Sequence, residues 1–178
     1  MRRITSGFAV VAAVAAALAT AVSPVSAAAP PAPAAASAMT WTLLGDGPSG
    51  TVRVGGGPLS NPYTGDTATT ASLPLLCLRI DGSPVPAGIT PDFYAGWARG
   101  TVAATSPIRG TRLTSRAIAD QVCANSLGAG WRMAEFHDGR YGPNLAYSGG
   151  WSYYAHGDVP LGTRFWTAIN DQPSNPWS

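Results

Sequence analysis

The 178 residues carry a formal net charge of +2, and that excess sits in Arg2 and Arg3: eleven basic residues less these two leave nine Arg against nine acids. A near-neutral body lacks the basic footprint of a nucleic-acid binder or of a protein held on anionic membranes, so neither is expected as a partner. Only 11% of residues are charged, and 21 Gly and 16 Pro accompany them, which argues for a compact, loop-rich domain that buries aromatics and relies little on helices.

Arg2 and Arg3 open the chain, an apolar run follows from Phe8 to Val22, and Val25-Ser26-Ala27 is a small-x-small cleavage pattern. This is the three-part plan of a secretory signal over residues 1–27. The apolar run falls short of the ~20 residues that span a bilayer, and Ser23-Pro24 interrupts it, so the expectation is a secreted protein without stable membrane insertion. Residues 28–38 are almost purely Ala and Pro and read as an extended spacer. Residues 39–178 hold all six Trp and all six Tyr and are long enough for one extracellular domain with a core.

Within that domain, Trp41–Leu44 and Thr51–Val54 are β-prone runs around the turn formers of residues 45–50, which predicts an opening hairpin. Gly55-Gly56-Gly57-Pro58 and Asn61–Asp66 are loops, and no Lys-Ser/Thr follows the glycines to make a phosphate loop. Leu73 to Ile80 is a strand whose start Pro74 confines to an edge or entry position. A further strand centres on Trp97, within Tyr94–Thr101. The one clear helix runs from Thr114 or Ser115 to Leu127, with a hydroxyl cap before it, Gly128 behind it, and Ile118, Val122 and Cys123 on one face. Trp131–Glu135 alternates like a strand, residues 140–150 read as a loop, and Trp151–Tyr154 and Arg164–Ile169 read as closing strands. Short strands around one helix make the fold class α+β. Cys77 and Cys123 are the whole thiol inventory, and in an exported protein they predict one disulfide.

Two polar clusters can carry chemistry. Glu135-Phe136-His137-Asp138 groups an acid, an imidazole and a second acid, the residue types of acid/base catalysis or metal ligation. On a strand, however, Glu135 and His137 would share a face and Asp138 would oppose them, and the commoner role of such residues is a turn with satisfied backbone groups. No Gly-x-Ser-x-Gly elbow is present to supply a serine nucleophile. The second cluster joins the aromatic run Phe165-Trp166 to the oxygens and amides of Asn170, Asp171, Gln172 and Asn175. A ligand site needs fixed hydrogen-bonding groups beside an apolar platform, and here Trp151 and Trp177 are the expected platform. The competing reading is an Asn-Asp turn that closes the domain.

Together, Ala119–Cys123 and Gly128–Gly139, with the block Gly130-Trp131-Arg132-Met133-Ala134-Glu135-Phe136-His137-Asp138-Gly139, resemble the helix and following strand of C-type lectin-like domains. Phe165–Pro173 resembles that family's terminal segment, and the block also resembles one found in uncharacterised secreted bacterial proteins. The resemblance implies a C-type lectin-like fold and a carbohydrate or protein ligand. Two departures stand out. The family's helical Cys pairs with a Cys near the chain end, whereas here Cys77 is the available partner. Gln172-Pro173-Ser174 follows Asn170-Asp171 instead of preceding a Trp-Asn-Asp, and Ser174 brings no carboxylate. Oxygen ligands on this loop can take Ca²⁺, but the altered order leads us to expect no cofactor. The functional expectation is a secreted binding or adhesion module for an extracellular carbohydrate or protein. The alternative is a secreted hydrolase using Glu135, His137 and Asp138.

Overall fold

The computed structural model describes residues 36–177; the expected secretory signal (1–27) and the expected spacer as far as residue 35 lie outside the described residues. Strands and one helix follow in the order β1 (Ser37–Ala38), β2 (Thr40–Asp46), β3 (Val52–Gly55), β4 (Thr67–Ala68), β5 (Ser72–Leu73), β6 (Leu76–Ile80), β7 (Gly96–Ala104), β8 (Ile108–Arg109), α1 (Arg116–Leu127), β9 (Arg132–Met133), β10 (Arg140–Tyr141), β11 (Tyr147–Ser148), β12 (Ser152–Gly157) and β13 (Arg164–Trp166). The fold class is α+β, dominated by sheet.

The opening hairpin forms as the turn chemistry predicts. β2 and β3 pair antiparallel around a short 3-10 turn at Pro48–Gly50. Pro74 separates β5 from β6, consistent with a residue that has no N–H to give to a ladder. The main sheet runs β11-β10-β7-β12-β3-β2-β13, with β6 attached to β7 and β9 to β6. β7 and β12 pair in parallel, although 47 residues separate their closing and opening residues (104 and 152, less the ends). β1 pairs with β4, so Ser37 and Ala38 lie in a strand, inside the stretch whose composition reads as spacer. Residues 140–150 also differ from a plain loop: β10 and β11 pair antiparallel around a 3-10 turn at Pro143–Leu145.

Strand alternation divides the apolar side chains between two cores. Leu76 and Leu78 of β6 face one, with Trp41, Val54, Ala98, Tyr153 and Phe165. Cys77 of the same strand faces the other, with Met133, Trp166, Trp177 and the helix residues Ala119 and Cys123. The sheet therefore curls around the first core and rests the helix on the second.

Helix α1 starts where expected. The Ser115 side chain accepts the N–H of Ile118 at 3.2 Å, and Gly128, at φ +107°, ends it with a bond to the Ala124 carbonyl. Its buried stripe is Ala119 and Cys123, while Ile118 is 37% exposed. The covalent tether accounts for that rotation: Cys77 and Cys123 are bonded, with Cα atoms 5.8 Å apart, and both are fully buried. Closing a loop of this length stabilises the fold by about 4 kcal/mol on the chain-entropy account.

Candidate functional site

The segment after β9 does not continue as a strand. The N–H of Ala134 reaches the Leu76 carbonyl, and Glu135 then bridges to Ala168, with the Phe136 N–H on the Ala168 carbonyl at 2.9 Å. The chain turns at once, because the N–H of Asp138 returns to the Glu135 carbonyl at 3.1 Å. The Asp138 carboxylate locks that turn. Its Oδ2 accepts the N–H of Glu135 at 2.7 Å and the Arg132 guanidinium at 3.0 Å. Burial opposes the charge on Arg132, but the bonds to Asp138 outweigh it and hold the guanidinium above its ordinary range. Asp138 is thus committed to architecture. The close packing that follows needs glycine: a Cβ on Gly139 would lie 2.9 Å from the Tyr153 side chain and 3.1 Å from Gly96.

Glu135 has a different task. Its side chain is only 7% exposed, yet its carboxylate meets three groups. Oε2 accepts the His137 N–H at 2.7 Å, while Oε1 lies 3.0 Å from His137 Nδ1 and accepts the Asn170 N–H at 3.1 Å. An ionised carboxylate is acceptor-only, so these contacts assign the proton to Nδ1. His137 Nε2 is left facing outwards, 3.7 Å from Oδ2 of the exposed Asp171. One buried acid therefore joins the Glu135–Asp138 turn to the C-terminal loop and orients the imidazole.

The helix braces this arrangement from behind. Arg116 donates to the Met133 carbonyl at 2.7 Å and to Asn170 Oδ1 at 3.4 Å. Asp120 Oδ1 accepts from both Arg116 Nε and the Met133 N–H. Beneath the turn, Tyr153 is fully buried. That burial, with the Asp138 charge adding to it, pushes its phenol well above the ordinary tyrosine range.

A cleft of about 180 Å³ opens over His137. Asp171 and Gln172 share its polar side, and Phe136, Trp151, Phe93 and Tyr63 supply rings. Phe136 meets the His137 ring at 5.0 Å and Trp151 at 5.4 Å, both nearly edge-on. Trp151 sits at φ +73°, and the N–H of Ser152 bonds to the Gly150 carbonyl across it, which makes the rare positive-φ γ-turn. For a bulky residue this conformation costs on the order of 1–3 kcal/mol, and such strain clusters at functional sites. Preceding it, Gly150 has no room for a side chain, since a Cβ would come within 2.4 Å of the Phe136 ring.

The expected ligand residues divide. Trp151, Asp171 and Gln172 line the cleft, and Asn170 stands behind it on Glu135 and Arg116. Asn175 and Trp177 are buried elsewhere: Trp177 is fully covered and packs against Trp166 at 5.6 Å in the core beneath the helix. Tyr63 and Phe93 enter the cleft from loops remote in sequence, with no motif around them to announce it. A larger groove of about 430 Å³ runs beside Arg109, Arg112 and Val122, but among the described residues no aromatic ring lines it.

The arrangement offers two chemistries. Rings beside an imidazole, a carboxylate and a carboxamide can hold a ligand. An imidazole fixed through Nδ1 with Nε2 facing an open cleft can also move a proton. Among the described residues, no Ser, Thr or Cys lines the cleft to act as a nucleophile. Among the described residues, no group of three or more His, Cys, Asp or Glu side chains is placed to hold a metal ion, and no helix is long and apolar enough to cross a membrane. No protein-family model, no curated protein and no solved structure matches this chain.

Proposed function

We propose that the protein is a secreted binding module that holds an extracellular carbohydrate or protein ligand in the His137–Trp151–Asp171–Gln172 cleft. The observation that carries this reading is the Trp151 ring, held on a strained backbone beside three polar side chains. Backbone strain at a half-buried Trp is unfavourable for folding alone, and its presence at the mouth of a cleft favours a ligand role. The leader in the sequence supports export. A C-type lectin-like fold is part of the proposal, supported by the resemblance of residues 119–139 and 165–173 to that family. The Cys77–Cys123 bond and Ser174 at the loop set this chain apart from the family's disulfide and calcium patterns. Glycan and peptide arrays test the function. Wild type should bind a ligand that an Asp171→Ala, Gln172→Ala variant, equally folded, binds at least about tenfold less well. Undiminished binding by the variant would place the site elsewhere.

A second reading rests on the Glu135–His137 pair. With Nδ1 held by a buried acid and Nε2 towards solvent, His137 has the orientation of a general base that activates water. Hydrolysis of chromogenic esters or glycosides that disappears in His137→Gln would favour the enzyme over the module. In either reading Asp138 positions the turn and takes no part in the chemistry.

A further inference from the structure

The cleft does not end at Phe93. That ring, 45% exposed, lies 5.0 Å from Tyr94 and 6.1 Å from Tyr141, and Tyr141 lies 5.5 Å from Tyr147. Tyr94 and Tyr147 are 63% and 55% exposed. Four rings, none more than 6.1 Å from the next, therefore carry apolar surface away from the His137 cleft across the small β10–β11 hairpin. Isolated exposed aromatics are ordinary, but a connected set that begins at a polar cleft is a candidate contact surface.

Resting on the binding-module reading, we infer that the ligand is an extended, neutral glycan chain whose end or branch occupies the His137–Asp171 cleft and whose following sugars lie along Phe93, Tyr94, Tyr141 and Tyr147. Three features select this chemistry. Pyranose rings present apolar C–H faces that stack on aromatic rings, while their hydroxyl edges both donate and accept, as His137, Asp171 and Gln172 require in return. None of the four strip residues is charged, and the nearby Asp92 carboxylate is engaged by the N–H groups of Tyr94 and Ala95, each at 2.8 Å. A peptide that binds by adding to a sheet edge finds little here, because the terminal strand on this side, β11, is only two residues long.

The test is calorimetry with cello-, chito-, manno- and xylo-oligosaccharides, each as trisaccharide and hexasaccharide, together with a proline-rich peptide. The proteins are wild type, a Tyr94→Ala, Tyr147→Ala variant, and Asp171→Ala. Both tyrosines are exposed, so the double variant should keep the wild-type melting temperature. One glycan series should bind wild type about tenfold more tightly as the hexamer than as the trimer. The tyrosine variant should lose that gain and weaken the trimer far less than the hexamer, whereas Asp171→Ala should weaken both alike. Equal binding of trimer and hexamer by wild type would overturn the extended-chain inference and leave the module intact. Binding of the peptide alone would overturn the glycan and leave the cleft as a protein-ligand site. No binding by any probe, with hydrolysis of a chromogenic substrate, would overturn both.

Discussion

Glu135 and His137 bond to each other twice, through the backbone N–H at 2.7 Å and through ring Nδ1 at 3.0 Å, and the same carboxylate holds the Asn170 N–H. A single buried acid so fixes both walls of the polar half of the cleft. Replacing it by an amide keeps the shape and spoils the match, because the Gln NH₂ would face donors.

Glu135→Gln should therefore lower stability by about 2 kcal/mol, the cost of leaving buried donors poorly paired. Urea unfolding measures it, and the His137 ring nitrogens should change tautomer populations by NMR. An unchanged midpoint together with unchanged ring shifts would remove Glu135 from its orienting role.

Asp138→Ala should cost about 2 kcal/mol through the opened turn at the Glu135 N–H and the guanidinium it leaves behind. Arg132 is about a third exposed, so part of that loss is softened by water. Ligand affinity should fall too, because His137 rides on the turn. Full stability with lost affinity would instead mark Asp138 as a direct ligand contact.

Trp151 permits a paired test of strain. Trp151→Ala and Trp151→Gly remove the same ring, but only Gly is at ease at φ +73°. The Gly variant should be the more stable of the two by about 1 kcal/mol, and both should lose ligand binding. Equal stability would show that the backbone relaxes once the ring is gone.

Tyr153→Phe tests the buried phenol, whose hydroxyl has no hydrogen-bond partner among the described residues. At neutral pH the variant should match or exceed wild type by up to about 1 kcal/mol. The folded-state value is raised, so the native protein keeps a proton that the unfolded chain releases above about pH 10. Stability is then complete below that value and is lost as pH rises towards the folded-state one. Thermal melts across alkaline pH should show a shallower decline for Tyr153→Phe.

Removing the bridge by Cys77→Ala with Cys123→Ala should cost about 4 kcal/mol. Because both sulfurs are buried, thiol reagents without denaturant should leave the wild-type bond untouched. Ready reduction under native conditions would mean that the helix opens easily from the sheet.

Much of the local architecture is legible in the chain itself. The Gly-Asp-Gly-Pro turn, the Ser115 cap, the Gly128 stop and the pairing of two lone cysteines each depend on residues whose backbone preference or count acts within a short stretch, whereas Leu73–Ile80, read as one strand, is divided at Pro74 into β5 and β6. The tertiary structure decided the rest. It turned Glu135–Asp138 out of the β9 direction, because the carboxylates of Glu135 and Asp138 found backbone N–H groups that a continuing strand would have spent on a ladder. It rotated the helix onto Ala119 and Cys123, buried Trp177 against Trp166, and brought Tyr63 and Phe93 to a cleft with Trp151 and Asp171. Those outcomes depend on which strands become neighbours, and the parallel pairing of β7 with β12 joins segments whose own residues encode only that they are extended. Local preference sets the conformation of each piece; which side chains meet is set by the long-range packing that buries both cores at once.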